Sequence, residues 1–247
     1  MVIKINNLEV KKGSFKLGAI NYTFDNGYVY AITGNSGSGK TLFLQSILGS
    51  IDIKKEMVLY NDLNFYENEI EIKSKYSYVA DNPLFSDKLS VETIISKISK
   101  LDSRFNKQKC YEYLKKYNIY KHKKIYELSQ GERKILLFGI GIFTDSQVLV
   151  LDNPLAGVGL IAKREMLSLI REYMEENKIT TIVIENPSVM SEVIRDMSRQ
   201  VNGEDGEWIL SDQDKIFSIE KSSIFLDNPL MVNSNEKRIL TRLYKEL

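Results

Sequence analysis

The chain holds one cysteine, Cys110, which excludes a disulfide framework or a thiolate metal cluster within the chain. The expectation for Cys110 is a helix residue in a reducing compartment. It also holds one histidine, His122, which excludes a histidine-rich metal site; His122 stands in a run of lysines, as a solvated surface residue does. No apolar stretch approaches the about 18 residues that a membrane-spanning helix needs. The longest, residues 135–143, is short and is interrupted by Gly139 and Gly141. Residues 1–7 alternate like a strand and lack the apolar core of a signal peptide. Any work at a membrane is therefore expected to run through a separate chain. Charge excess is missing too. Lys plus Arg is 34 and Asp plus Glu is 33, so the net charge is only +1, which argues against a general nucleic-acid scaffold and leaves open only local basic patches.

What is present is the composition of an ordinary globular protein with a sizeable core. The chain is 43% hydrophobic and 27% charged over 247 residues, enough for one large domain or two tightly joined subdomains. The first forty residues read as strands and turns, with Asn26-Gly27 as a turn and residues 28–33 as a mostly apolar strand. Residues 42–48 read as a helix. Short strands are expected at 57–60 and 76–80, and Asp81-Asn82-Pro83 breaks the pattern. Residues 90–127 read as helical and polar, with Val91, Ile94, Ile95 and Ile98 on one face. A helix is expected to open at Gly131, followed by a fully apolar central strand at 148–151 that ends in Asp152. Further expectations are a helix at 160–176, a strand at 180–184, a helix at 188–197, strands around 208–210 and a docked helix at 234–247.

Gly34-Asn35-Ser36-Gly37-Ser38-Gly39-Lys40-Thr41 fits the full G-x-x-x-x-G-K-[ST] pattern between a strand and a helix. Glycines let successive backbone N–H groups turn inward toward phosphate oxygens, and the helix N-terminus adds a favourable dipole. Lys40 is expected on the β and γ phosphates of a nucleotide, and Thr41 on Mg²⁺. The second half of such a site is a carboxylate at the end of a neighbouring buried strand, which Asp152 supplies.

Two further segments narrow the family. Leu128-Ser129-Gln130-Gly131-Glu132 resembles the L-S-G-G-Q signature of ABC-type ATPases, in its L-S-x-G-E form, with Ser129 lying 23 residues before Asp152. Residues 78–85, Tyr-Val-Ala-Asp-Asn-Pro-Leu-Phe, resemble the family's Q-loop segment. The resemblance covers residues 1–210. It implies an α/β fold of the ABC type of P-loop NTPase: a RecA-like parallel-sheet core, a small antiparallel β subdomain and an inserted helical subdomain. On that basis residues 1–247 form the ATP-binding domain, 86–133 the inserted helical subdomain ending in the signature, and 211–247 a C-terminal extension packed on the core. The resemblance also implies head-to-tail dimers, with ATP held between the phosphate loop of one subunit and Ser129 and Gly131 of the other.

The departures from the family pattern fall on the chemical residues. Asn153 stands where the family has its general-base Glu, and Asn186 where it has a His. An amide does not take up a proton at neutral pH. Losing a general base costs about 10²–10⁴ in rate. Asp81 replaces the Q-loop Gln and is a candidate Mg²⁺ contact. Ala156-Gly157-Val158-Gly159 replaces the usual D-loop, so its Asp is Gly159. The aromatic that stacks on adenine is expected near Lys12, with Phe15 as the substitute. The groups that cradle ATP and Mg²⁺ are thus kept while those that activate water are changed.

The resulting expectation is an ATP-binding subunit of an ABC transporter, cytoplasmic and peripheral to the membrane. It would couple closure on Mg-ATP to a transmembrane permease, with weak or absent hydrolysis at its own site. The intact signature favours pairing with a second, different ATP-binding subunit, whose own site would use Ser129 and Gly131. The alternatives are a slow homodimeric ATPase, a non-hydrolysing nucleotide switch, and a soluble ABC ATPase of repair or translation. The span from Thr41 to Leu128 is too short for the coiled-coil insertions of the repair class, and translation members carry two nucleotide domains.

Overall fold

A computed structural model describes residues 1–34, 36–82, 85–177, 179–186, 189, 214–220 and 223–226, with side chains described except at 174, 175, 214–220 and 223–226. The chain opens with a long hairpin, β1 (Ile3–Lys12) and β2 (Phe15–Phe24), joined by a turn in which Gly13 takes φ +61. Ile3, Ile5, Leu8 and Val10 of β1 are buried, and an irregularity at Asn6-Asn7 keeps them on one side. β4 (Val58–Tyr60) and β5 (Leu63–Asn64) complete an antiparallel sheet of order β2-β1-β4-β5.

The second sheet has six strands in the order β10-β9-β3-β8-β7-β6. Its strands are β3 (Val29–Thr33), β6 (Tyr76–Val79), β7 (Val148–Asp152), β8 (Thr180–Glu185), β9 (Asp214–Glu220) and β10 (Ser223–Leu226). All neighbours pair parallel except β10, which is antiparallel to β9. The mostly apolar runs of β3, β7 and β8 suit strands covered on both faces. Val148, Val150, Ile182 and Ile184 pack toward the antiparallel sheet and α1 (Lys40–Ile47). Leu149, Leu151 and Val183 join the opposite core. That core is filled from α3 (Val91–Leu101), α4 (Lys107–Lys116), α5 (Gln130–Ile142) and α6 (Leu160–Asn177).

In α3, Val91, Ile94 and Ile95 are buried and Ser90 caps the N-terminus by accepting from the Thr93 N–H. Burying each such side chain stabilises the fold by roughly 1.5–3 kcal/mol. Three elements depart from the expectations. Residues 65–73, between the strands expected at 57–60 and 76–80 and assigned no element of their own, form α2 (Phe65–Lys73). Two strands, β9 and β10, occupy a stretch for which no strand was expected. The helix expected at 188–197, apart from Val189, the strands around 208–210 and the helix at 234–247 lie outside the described residues, as do Asn35, Pro83 and Leu84.

The loops after β3, β6, β7 and β8 all leave the same edge of the sheet, the carboxyl ends of parallel strands, where open α/β sheets bind ligands.

Candidate nucleotide-binding site

The loop from Gly34 to Gly39 joins β3 to α1. Gly37 at φ +82 and Gly39 at φ +102 take backbone conformations that side chains resist. Gly39 is constrained twice, since a Cβ there would lie 2.9 Å from the ring of Phe15. The Lys40 ammonium turns back across the loop and donates to the Gly34 carbonyl. Burial lowers its pKa from the usual lysine value, against the pull of the Asp152 and Glu185 charges. Thr41, in the first turn of α1, is exposed.

A cleft of about 390 Å³ runs over this loop. Lys12 and Phe15 from the hairpin, Ser36, Gly37, Gly39, Lys40 and Thr41 from the loop and helix, and Asn153 and Asn186 from the ends of β7 and β8 all line it. Residues from four separate stretches of sequence thus meet in one cavity. Lys12 and Phe15, the two positions considered for adenine, both reach it. Ser38 is part of the same loop, and its hydroxyl is buried without a hydrogen-bond partner.

Asp152 closes β7. Burial, and then the Asp81 carboxylate, raise its pKa above the ordinary aspartate value, while Lys134, the Tyr78 hydroxyl and Lys40 oppose the shift. Asn153 follows in the left-handed region at φ +46 and donates its N–H to the Ile184 carbonyl at 2.7 Å. Asn is among the few non-glycine residues that tolerate this conformation. Asp81 has both carboxylate oxygens engaged. One lies 2.5 Å from the Lys134 ammonium, and the other accepts from the Asn82 side chain at 3.0 Å.

Two residues that the sequence reading passed over enter here. Lys134, on α5, is only 5% exposed. Glu185, at the end of β8, is 1% exposed and accepts from the Leu155 N–H at 2.9 Å and the Asn186 N–H at 2.8 Å. Burial raises the Glu185 pKa above the usual glutamate value, opposed by those N–H groups and by Lys134 and Lys163. A signal existed for Glu185, a charge ending a β-branched strand, whereas Lys134 follows Glu132 and Arg133 just before the apolar run of α5 and looks like one more solvated charge.

The signature residues lie elsewhere, at the start of α5 and outside the lining of the cleft. Ser129 accepts from the Glu132 N–H at 3.2 Å, and Glu132 accepts from the Ser129 N–H at 2.8 Å, a reciprocal cap. Lys123 holds Glu132 at 3.1 Å. Leu128 is buried and anchors the segment, whereas Ser129 and Gln130 are exposed. A Cβ on Gly131 would lie 2.8 Å from the Gly157 carbonyl, so signature and D-loop touch backbone to backbone within the chain.

The donor set fits magnesium of a particular kind. Asp152 and the Thr41 hydroxyl are hard oxygen donors near the phosphate loop. Among the described residues no group of three or more His, Cys, Asp or Glu side chains could hold a metal ion. Magnesium that arrives with substrate phosphates needs only one or two protein oxygens, and this set supplies them. Among the described residues no helix is long and apolar enough to cross a membrane.

A family model described as ABC transporter matches residues 17–156, more than half of the chain. The chain is 24% identical over 210 residues to a "Putative ABC transporter ATP-binding protein" of Clostridium tetani (strain Massachusetts / E88), covering 83% of this chain and 48% of that protein, so it spans about half of that relative's length. It is 28% identical over 204 residues to the energy-coupling factor transporter ATP-binding protein EcfA2 of the same strain, covering 74% of this chain and 70% of that one. A solved ATP-binding subunit of an ABC transporter superposes with a TM-score of 0.76 at 12% identity, covering 100% of this chain and 99% of the other, a likeness of fold alone. With its phosphate loop between β3 and α1 and its mixed sheet flanked by helices, the chain belongs to the ABC transporter family and has the fold of that family's ATP-binding domain.

Proposed function

We propose that the chain is an ATP-binding subunit that closes on Mg-ATP and passes that closure to a separate membrane permease, with weak or absent hydrolysis at its own site. The observation that carries the reading is the cleft in which the phosphate loop, Lys40 and Thr41 face Asn153 and Asn186. In this reading backbone N–H groups of the loop at 34–41 bind the phosphates, and the Lys40 ammonium leaves the Gly34 carbonyl to take a phosphate oxygen. Thr41 and Asp152 hold magnesium, which when bound offsets phosphate charge. Phe15 and Lys12 offer a face for the base.

The same cleft supports poor hydrolysis. Water in line with the terminal phosphate needs a proton acceptor, and the side chains offered there are two carboxamides. Asn186 orients by one hydrogen bond and stays neutral. Glu185 does not replace the missing base, because both its oxygens are committed to backbone N–H groups and it is shut off from solvent.

Residues 128–132 are proposed to meet the terminal phosphate of ATP on a second ATP-binding subunit, with 86–133 moving as one helical unit toward the permease. Similarity to an energy-coupling factor ATP-binding protein supports a membrane partner and a cytoplasmic, membrane-peripheral place for the chain. The intact signature beside Asn153 and Asn186 favours a heterodimer, in which the partner's phosphate loop and general base hydrolyse and this chain's own site holds ATP as glue. The second reading, a slow homodimeric ATPase or a non-hydrolysing switch, rests on the same pair of asparagines.

The test is calorimetric titration of the purified chain with Mg-ATP beside Lys40→Ala. Saturable binding that the variant loses by about 100-fold or more is expected, as is turnover well below the roughly 1 s⁻¹ of an ordinary enzyme. Ordinary turnover by the chain alone would overturn the hydrolysis half of the reading. Absence of any nucleotide affinity would overturn the whole.

A further inference from the structure

Lys134 is a cation in a place where cations are costly. It lies on α5, five residues after Ser129, and is 5% exposed. A buried ammonium needs partners, or the cost of leaving water is not recovered. Its direct partner is Asp81, in the segment after β6, which it contacts through both Oδ1 and the backbone carbonyl. Its charge also reaches Asp152 and Glu185. The Asp81 and Asp152 carboxylates in turn lie close enough to repel one another. Two carboxylates that feel each other's charge are what a divalent cation would bridge. Here a tethered cation already sits on one of them, and the second oxygen of that carboxylate is held by Asn82.

We propose that Lys134 is a built-in competitor of the metal: it holds Asp81, so that the protein's carboxylate contact to magnesium is Asp152 alone. The ion pair and the metal then exclude each other at Asp81. Because Lys134 stands on the helix that opens with the signature, the same pair ties the segment after β6 to that helix. The inference deepens the proposed nucleotide site and rests on it.

The experiment measures ATP affinity calorimetrically on the full chain, once with Mn²⁺ and once in EDTA. The ratio of the dissociation constant in EDTA to that with Mn²⁺ isolates the metal's contribution from any general change in ATP binding. Four proteins are compared: the unaltered chain, Asp81→Asn, Lys134→Gln and the double variant. Asp81→Asn keeps an acceptor oxygen for Lys134 and is expected to leave the ratio within twofold. Lys134→Gln frees Asp81 and is expected to raise the ratio at least fivefold. In the double variant the gain is expected to vanish. Three results overturn the proposal: a ratio that falls more than twofold in Asp81→Asn, an unchanged ratio in Lys134→Gln, or a gain that persists in the double variant, which would reflect charge alone. If Lys134→Gln does not fold, Asp81→Asn decides alone, since a carboxylate already on the metal cannot be neutralised without loss. An unaltered chain that binds no nucleotide refutes the site itself, and the inference falls with it; a chain that binds ATP but gives the wrong pattern refutes only the inference.

Discussion

Asn153 shows how one residue ties conformation to chemistry. Its backbone stands at φ +46, and its side chain faces the cleft. Replacing it by glutamate supplies a proton acceptor but puts a longer side chain on a left-handed backbone. Asn153→Glu is therefore expected to raise ATP turnover about 100-fold, the low end of a general base's worth, because Asn186 stays neutral. It is also expected to cost about 1 kcal/mol of stability. Phosphate release and urea unfolding measure the two. Gly39→Ala is expected to lower ATP affinity about tenfold and stability by about 1–2 kcal/mol, since φ +102 and the Phe15 ring both oppose a Cβ; titration and urea unfolding again decide. The glycine-rich loop between β3 and α1 was legible in the sequence because eight consecutive residues, 34–41, carry its pattern. Asp81 and Lys134 were not legible as a pair, because 53 positions separate them and only the fold brings them together. Glu185 could be seen as a charge, but its two N–H partners could not, since one comes from a loop 30 positions away.

Elements whose apolar residues repeat regularly were legible, and those whose pattern is broken were not. In α3 the burial of Val91, Ile94 and Ile95 follows the helical period. In α2 the buried Phe65 and Ile72, seven apart, do share one helical face, but only two apolar residues mark it, a third, Ile70, is 88% exposed on the outer face, and the backbone is non-helical at Asn68, φ −128, so local sequence gives little sign of the helix. The strands β9 and β10 are short apolar runs beside charges; pairing with β3 makes a strand of β9, and local sequence does not announce it. The start of α5 carries two demands at once. Its five signature residues also form the helix cap, and Gly131 admits the Gly157 carbonyl. Gly157 itself needs φ +75, so its turn yields little. Gly131→Ala is expected to destabilise the chain by about 1–3 kcal/mol through overpacking. Faster hydrogen exchange across residues 156–159 would show that the D-loop has been displaced; exchange unchanged there would refute the contact.

At the scale of the molecule two cores share the parallel sheet, and in the one beneath the hairpin Tyr30 and Tyr60 are buried, with Tyr22, Tyr28 and Tyr76 packed at its margin. Burial pushes Tyr22 and, on β6, Tyr76 and Tyr78 up to about 12, while Tyr30 and Tyr60 are raised further. The native state keeps these protons where an unfolded tyrosine, near pKa 10, releases them. The unfolded state therefore binds fewer protons, and stability falls as pH rises between about 10 and 12. A urea midpoint lower at pH 11 than at pH 9 is the expected result, and a flat profile would contradict it. The strand that feeds the phosphate loop is flanked by β8 and β9, so its neighbours are encoded at residues 180–185 and 214–220. On the ribosome Val29–Thr33 emerges long before either of them. At about 5–20 residues per second the wait for the second neighbour is on the order of 10–40 s, an interval in which the nascent chain carries its nucleotide loop on a strand without its final flanks.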